Sequence, residues 1–320
     1  MASRQLTDPR NSKFDLVRAR ELLRLGRVAR DRFKEFKKDK DENSLQKRFS
    51  IKSDKPDESY VEYTVEKDIF FSQKVFFSRK QVIFGFIARK GNEFFIIFRG
   101  SQTMGDWFSN ARFYQSFKSL KVAIPRDNNY TTIPGKIHKG FLEQYTRPEP
   151  KFEEGQRSIS ETIRTALSDS KYDEKSSIIY IAGHSLGGAL ATLAAAELSI
   201  VYKEAEIFLY TTASPRVGNQ DFEDFFDKEN KSESRSGKKV KAFRIFNSVD
   251  AVPNLPPRFE SPREAHKYVH VGEPFSFNNN VIGLLPTRLE YQHTLPIYAC
   301  ALGLNPNDFK YSKRELPFNC

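Results

Sequence analysis

A serine set between two glycines constrains this chain more than any other feature of its sequence. Gly183-His184-Ser185-Leu186-Gly187 follows an apolar run, 177–182, and precedes a small-residue apolar run, 187–202. The first run predicts a strand and the second predicts a helix. A G-x-S-x-G motif between a strand and a helix is typical of a sharp turn that raises a serine hydroxyl above a sheet. The segment therefore predicts a nucleophilic Ser185.

The rest of the chain alternates between strand-like and helix-like segments. The predicted strands are 81–88, 93–99, 177–182, 207–212 and 241–247, and the predicted helices are 155–168 and 187–202. The first two strands flank a hairpin signal at 89–92. The alternation predicts an α/β fold, with a mainly parallel central sheet and helices on both faces. We place this catalytic domain at 59–320, preceded by a helical extension and a polar linker at 1–58.

A serine hydroxyl needs a neighbouring base, which a carboxylate in turn orients. In folds built on this turn, the acid and then the histidine follow the serine along the chain. Asp250, just beyond the strand at 241–247, is the candidate acid. Position alone leaves two candidate bases, His293 in a loop and His270 in a strand-like run. Other downstream carboxylates lie in a polar, helix-like segment and are interpreted as solvated: Asp221, Asp224 and Asp227.

Basic charge is concentrated near the start of the chain. The net charge is +11, and residues 1–50 carry 15 Lys and Arg against 8 Asp and Glu. One apolar stripe at helical spacing runs through this segment: Leu22, Leu25, Ala29, Phe33 and Phe36. The commoner interpretation is a helix packed on its own domain with a solvated basic face, and the alternative is a helix lying on an anionic membrane surface. No nucleic-acid-binding motif accompanies the charge, so nucleic acid is not a predicted partner.

Several classes of protein are excluded by composition. The longest apolar run, 188–202, is interrupted by polar residues and is shorter than the roughly 20 residues that span a bilayer. Met1–Arg10 has no apolar core typical of a signal peptide. The two cysteines cannot form a disulfide scaffold, and no Cys/His spacing predicts a metal site. We predict a cytoplasmic protein, with peripheral association to a membrane or lipid droplet as the alternative.

An ordered series of motifs resembles the class 3 lipases, an α/β-hydrolase family that includes the triacylglycerol lipases of filamentous fungi. The resemblance spans about residues 75–298. Its motifs are Phe98-Arg99-Gly100-Ser101, Asp106-Trp107, His138-Lys139-Gly140-Phe141, Gly183–Gly188, Ser214–Asn219, Arg244–Pro253, His293 and Tyr298.

The resemblance assigns roles to individual residues. It implies that Ser185, Asp250 and His293 form a catalytic triad, which resolves the choice between the two histidines. It also implies an oxyanion hole made by the backbone N–H groups of Ser101 and Leu186. The chain departs from the family pattern at Ala213, where a glycine is common, and at Asn110, where an aspartate is common. Neither a metal nor an organic cofactor is implied.

The segment 103–113 directly follows the candidate oxyanion residue. Met104, Trp107 and Phe108 recur there at helical spacing, and the position matches the helical lid of the fungal lipases. A lid with one apolar face covers a serine in water and opens onto lipid. The alternative is an ordinary amphipathic helix packed on the core.

These features together predict a serine carboxylester hydrolase. Its expected substrates are acyl esters of glycerolipids at a lipid–water interface, with triacylglycerol first. A phospholipase or galactolipase, and an acyltransferase, are alternatives that use the same triad. A scaffold that binds acyl ligands without turnover is a further alternative, but it predicts a broken triad and here the predicted triad is complete.

Overall fold

The structure, a computed structural model, gives the positions of most of the chain. The described residues are 14–39, 41, 45–75, 78–101, 117–124, 129–148, 157–170, 172–231, 240–258, 267–279 and 289–309. The predicted lid residues Met104, Trp107 and Phe108 lie outside these ranges.

An eight-stranded sheet forms the centre of the molecule. In spatial order its strands are β1 (Arg48–Lys52), β2 (Tyr60–Val75), β3 (Ser78–Lys90), β4 (Glu93–Phe98), β9 (Ile178–His184), β10 (Glu206–Thr212), β11 (Val240–Asn247) and β12 (Glu273–Phe277). The first four pair antiparallel, and β4, β9, β10, β11 and β12 pair parallel. The small two-stranded sheets pair β5 (Phe117–Lys118) with β8 (Ile137–His138) and β6 (Lys121–Ala123) with β7 (Tyr130–Thr132).

Helices cover both faces of the sheet, which confirms the predicted α/β-hydrolase architecture. The helices are α1 (Leu16–Asp39), α2 (Lys139–Thr146), α3 (Ile159–Asp169), α4 (Leu186–Val201), α5 (Gln220–Lys231), α6 (Leu289–Gln292) and α7 (Leu295–Ala301). One core cluster joins the sheet to α2–α5, and a second joins the opposite face to α1 and α7. Among the described helices, none combines the length and apolar character needed to cross a bilayer.

Helix α1 lies on the sheet and contributes to the core. Its predicted apolar stripe is buried, with Leu25 and Ala29 fully inaccessible to solvent. Several of its arginines pair with carboxylates of the chain: Arg18 with Glu21 and Glu93, Arg24 with Asp54, Arg27 with Asp31, and Arg32 with Asp68. The apolar face that membrane binding requires is therefore covered by the sheet, and the packed interpretation of this helix describes the structure.

Two local predictions were wrong. Strand β1 lies inside the segment that its polarity marked as linker, and it pairs antiparallel with β2 at the edge of the sheet. Only Ile51 of this strand is buried, and the charged and polar residues around it give the strand little apolar signal. The run around His270 was expected to be a strand, but it makes a single bridge, between Val269 and Gly218. Segments 1–58 and 59–320 thus share one sheet.

Candidate active site

Ser185 occupies the turn between β9 and α4. Its backbone has φ 59° and ψ −129°, a positive-φ conformation that costs an L-residue about 1–3 kcal/mol. The Ser185 N–H donates to the Thr212 carbonyl at 2.9 Å, which holds the turn against β10. A Cβ on Gly183 would lie 2.1 Å from the Gly187 carbonyl oxygen, and one on Gly187 would lie 2.4 Å from that of Arg99. Both flanking positions therefore require glycine.

Asp250 and His293 lie in contact at the same edge of the sheet. Asp250 follows β11 and His293 follows α6, and the fold brings their side chains together. The His293 Nδ1–H donates to Asp250 Oδ2 at 2.7 Å. Asp250 is 1% exposed and His293 is 5% exposed, so the pair is shielded from water.

The hydrogen bond to Asp250 fixes the tautomer of His293. With its proton on Nδ1, the ring presents an unprotonated Nε2. This atom is buried and makes no hydrogen bond with any described residue. The ring centroid lies 4.9 Å from that of His184, the residue that directly precedes Ser185. His293 therefore offers a basic nitrogen beside the serine turn.

The second oxygen of the carboxylate is also bound. Asp250 Oδ1 accepts the Val252 N–H at 2.9 Å, and Oδ2 accepts the Tyr298 hydroxyl at 2.8 Å as well as His293. Burial, and then the charge of Asp250, raises the pKa of Tyr298 well above its usual value, so this hydroxyl keeps its proton. Sequence reasoning noted Tyr298 only as part of a motif. Its contact depends on the fold of α7 and had no separate sequence signal.

His184 ties the serine turn to the loop that carries the base. Its Nε2 contacts the His293 carbonyl oxygen at 2.9 Å, and its Nδ1 contacts Thr212 Oγ1 at 3.1 Å. Burial, and then the proximity of the His293 ring, holds the pKa of His184 well below its usual value. A neutral ring that donates from Nε2 to the carbonyl and accepts at Nδ1 satisfies both contacts. Sequence reasoning gave this residue no role, although it occupies the first variable position of the serine motif.

The two candidate oxyanion donors lie on either side of the serine. Leu186 is the first residue of α4, and the first N–H groups of a helix have no partner within the helix. Ser101 follows the end of β4 and is partly buried. A Cβ placed on its neighbour Gly100 would lie 3.4 Å from the Cβ of Ser185. The backbone beside Ser101 therefore lies close to the serine side chain.

His270 lies away from this constellation. The described partners of the Asp250 carboxylate are His293, Tyr298 and Val252. The His270 ring instead bonds the Pro253 backbone, and burial, followed by Arg244 and other nearby arginines, lowers its pKa to about 2. Of the two histidines that position alone left open, the structure brings His293 to the acid.

The other carboxylates do not join the site. Asp221 and Asp224 bond neighbouring side chains on or beside α5, and the side chain of Asp227 lies outside the described part. In the described part of the chain, no three His, Cys, Asp or Glu side chains are grouped in a way that could hold a metal ion.

Residues 95–260 match the model of the family described as lipase (class 3). This match covers half of the chain and includes the serine turn and the candidate acid. The chain belongs to the class 3 lipase family.

Relatives of this lipase-family chain carry several names. It is 30% identical over 203 residues to a lipase of Rhizomucor miehei. The aligned residues make up 61% of this chain and 45% of the relative. It is 32% identical over 171 residues to secreted mono- and diacylglycerol lipase 1 of Fusarium solani, an alignment that covers 53% of this chain and 40% of the relative. It is 28% identical over 192 residues to phospholipase A1-II 1 of Oryza sativa subsp. japonica, an alignment that covers 57% of this chain and 47% of the relative. The chain thus spans somewhat less than half the length of these relatives.

Among solved structures, a deletion mutant of the Rhizomucor miehei lipase in complex with its propeptide aligns with 88% of this chain and 75% of its own. The TM-score is 0.49 and the sequence identity is 20%.

Proposed function

We propose that the chain is a serine carboxylester hydrolase that cleaves acyl esters of glycerolipids, with triacylglycerol as its main substrate class. The observation that carries the proposal is the buried His293–Asp250 hydrogen bond of 2.7 Å, with an unbound Nε2 beside the strained turn of Ser185. A histidine held in this tautomer accepts a proton at Nε2, which is the property that serine acylation needs.

The proposed reaction has two halves. His293 Nε2 takes the proton of the Ser185 hydroxyl as its oxygen attacks the ester carbonyl carbon. The Ser101 and Leu186 N–H groups stabilise the tetrahedral oxyanion, and His293 then passes its proton to the departing glycerol oxygen. In the second half, His293 takes a proton from water, whose oxygen attacks the acyl carbon, and it then returns that proton to the Ser185 oxygen as the fatty acid is released. Asp250 stabilises the imidazolium in both halves.

The substrate class is supported by the names of the relatives, which include a lipase and a mono- and diacylglycerol lipase. The segment 103–113, which contains Met104, Trp107 and Phe108, serves in this proposal as an interfacial lid. Phospholipid is the second candidate substrate, because the relatives also include phospholipases A1 at 28% identity.

One assay separates these substrates. Purified wild-type protein is given a short soluble ester, emulsified triolein and phosphatidylcholine vesicles, and released fatty acid is titrated. We expect the highest turnover on triolein, rising sharply once the substrate forms an interface. A preference for phosphatidylcholine would replace the triacylglycerol proposal with phospholipase activity. Activity on the soluble ester alone would contradict the role of segment 103–113 as an interfacial lid.

Two serine variants serve as a matched pair in this assay. Ser185→Ala should abolish hydrolysis of every substrate. Ser214→Ala removes another buried hydroxyl near the turn, one that bonds the Pro215 carbonyl, and should leave activity close to wild type. Full activity in Ser185→Ala would overturn the proposed function.

A further inference from the structure

Arg99 is a buried cation with no acidic partner among the described residues. It is 4% exposed, and burial lowers its pKa to about 9. Its Nε donates to the Ile83 carbonyl at 2.7 Å, and its Nη1 donates to the Gly100 carbonyl at 2.8 Å. Burial of a charge without an opposite charge lowers the stability of a fold, so packing alone does not explain an arginine at this position.

Aromatic rings hold the guanidinium in this place. Its central carbon lies 4.0 Å from the ring centroid of Phe33, on α1, and 4.8 Å from that of Phe84, on β3. The faces of aromatic rings attract a cation, and the attraction grows when water is excluded. The N-terminal helix thus packs directly against the side chain that binds the Gly100 carbonyl.

Of the two carbonyls that Arg99 binds, that of Gly100 lies beyond the end of the strand pairing. The pairing of β4 with β3 ends at Phe98, opposite Gly85, and the Arg99 N–H makes one more bond, to the Phe84 carbonyl. After that residue the chain leaves the strand ladder. Beyond the strand pairing, the guanidinium of Arg99 donates a hydrogen bond to the Gly100 carbonyl.

A peptide unit is planar and trans, so its C=O and its N–H point in opposite directions. The Gly100 carbonyl and the Ser101 N–H belong to the same unit. A donor that fixes the carbonyl therefore also fixes the direction of the N–H. The carbonyl faces the guanidinium beneath α1, and Gly100 itself lies against His184 and Ser185.

We propose that Arg99 is a positioning residue that aims the Ser101 N–H at the oxyanion, and that Phe33 of α1 keeps the guanidinium in place. The inference rests on the proposed hydrolase function and on Ser101 as an oxyanion donor. It gives α1 a part in the reaction that its distance from the triad in sequence does not suggest.

The test compares Arg99→Met and Arg99→Lys with wild type. We measure kcat, KM, and the affinities of an alkylboronic acid, which forms a tetrahedral adduct on serine, and of a non-hydrolysable ether analogue of the substrate. Since loss of one oxyanion donor lowers kcat by about 10²–10³-fold, misaiming it in Arg99→Met should lower kcat by roughly 10- to 100-fold with little change in KM. Boronate affinity should fall by a similar factor, and ether binding should not change.

Two further variants separate positioning from general loss of stability. Arg99→Lys keeps one donor and should recover part of kcat. Arg32→Met is the matched control, because Arg32 is also a buried arginine of this region but pairs with Asp68. It should lower the melting temperature and leave kcat within about twofold, as expected for a change that touches no reacting group.

Specific outcomes overturn the inference. Wild-type kcat in a folded Arg99→Met, a change confined to KM, or an equal loss of kcat in Arg32→Met would each do so. If Arg99→Met does not fold, Arg99→Lys and Phe33→Leu decide, and unchanged kcat and boronate affinity in both would contradict the proposal. A wild-type protein with no Ser185-dependent hydrolysis would instead overturn the proposed function itself.

Discussion

Asp250 Oδ2 accepts hydrogen bonds from both His293 and Tyr298, and this shared oxygen makes Tyr298 testable. Removing the hydroxyl in Tyr298→Phe takes one donor away from a buried carboxylate. We expect a loss of about 1.5–3 kcal/mol in the free energy of unfolding, as for hydrogen bonds to charged groups. We also expect kcat to fall by roughly tenfold, because a displaced carboxylate orients the imidazole less well.

Tyr145 offers a matched control for this prediction. It is equally buried, and its hydroxyl donates to the carboxylate of Glu197 at 2.5 Å, away from the triad. Tyr145→Phe should cost similar stability, measured by urea unfolding, and should leave kcat unchanged. If both variants lose kcat equally, the Tyr298 contact has no special role in orienting the acid.

Two histidines stay uncharged in the folded chain and make stability depend on pH. Burial lowers the pKa of His270 to about 2, and it holds that of His184 well below the usual value. Below about pH 6.5, the ordinary value for histidine, the unfolded chain binds protons at these positions that the folded chain does not. The free energy of unfolding should therefore fall as pH drops below about 6.5, by at most ~1.4 kcal/mol per pH unit for each histidine.

Urea unfolding at about pH 7.5, 6 and 5, on either side of the ordinary histidine pKa, measures this dependence. His270→Gln keeps a polar side chain at a position that makes no bond to the Asp250 carboxylate, and it removes one of the two titrating groups. Its stability should change less steeply over the acidic part of this range than that of wild type. If the free energy of unfolding changed with pH by the same amount in both proteins, His270 would be protonated in the folded chain as readily as in the unfolded one.

At the residue scale, the sequence predicts the chemistry better than the supporting contacts. Ser185 and Asp250 stand beside strand ends whose apolar character is visible in the sequence, so both could be placed. Ala213 was noted because the family often has glycine there, and the structure gives a physical reason, a φ of 53°. The bond from Tyr298 to Asp250 depends on tertiary packing over 48 positions and has no local pattern.

Gly26 lies in the interior of α1, where a glycine lowers the stability of the helix. Apart from its chain neighbours and the backbone of its own helix, a Cβ placed on it would find no atom within 4 Å, and the residue faces a cavity that also borders Ala182, His184 and Leu295. Glycine in a helix interior is about 1 kcal/mol less favourable than alanine. Gly26→Ala should therefore stabilise the fold by about 1 kcal/mol and raise the melting temperature by roughly 2–4 °C.

Gly85→Ala provides the opposite case within the same core. A Cβ there would lie 2.1 Å from the Ile97 carbonyl oxygen on the neighbouring strand, so the substitution should destabilise the sheet. Calorimetry of the two variants tests both signs. A lower melting temperature for Gly26→Ala would show that this part of α1 has no room for a methyl group.

At the element scale, the sequence predicts the strands that are buried on both faces and misses β1 and β12 at the edges of the sheet, and β2 beside β1. The buried strands β4, β9, β10 and β11 were found within one or two residues of their ends, because near-continuous apolar runs mark them. Strand β1 was missed because its charged side chains face solvent and its pairing is decided by β2. An edge strand of this kind owes its structure to pairing with its neighbouring strand rather than to an apolar pattern of its own.

The whole molecule depends on α1, because the helix covers one face of the sheet. Removing residues 1–41 would expose the core that Leu22, Leu25 and Phe33 now bury. We expect the truncated protein to lose cooperative thermal unfolding. Lys37→Gln and Lys38→Gln alter exposed charges of the same helix and should leave the transition unchanged. A truncated protein with the wild-type melting temperature would show that α1 is a dispensable extension.

The compartment in which the chain works stays a prediction. The sequence favoured a cytoplasmic protein, in part because it carries only two cysteines. Cys300, on α7, is disulfide-bonded, and such bonds are more typical of oxidising compartments. Comparison of the intact mass with and without alkylation, for protein taken directly from its source, tests whether the bond forms there.

The central claim is that Ser185, His293 and Asp250 act together as one nucleophilic unit. A fluorophosphonate ester reacts with a serine only when a neighbouring base activates it. We predict that native protein takes up one label per chain, that peptide mass spectrometry places it on Ser185, and that folded His293→Ala and heat-unfolded wild type remain unlabelled. Labelling of another residue, or equal labelling of Ser185 in His293→Ala, would contradict the account.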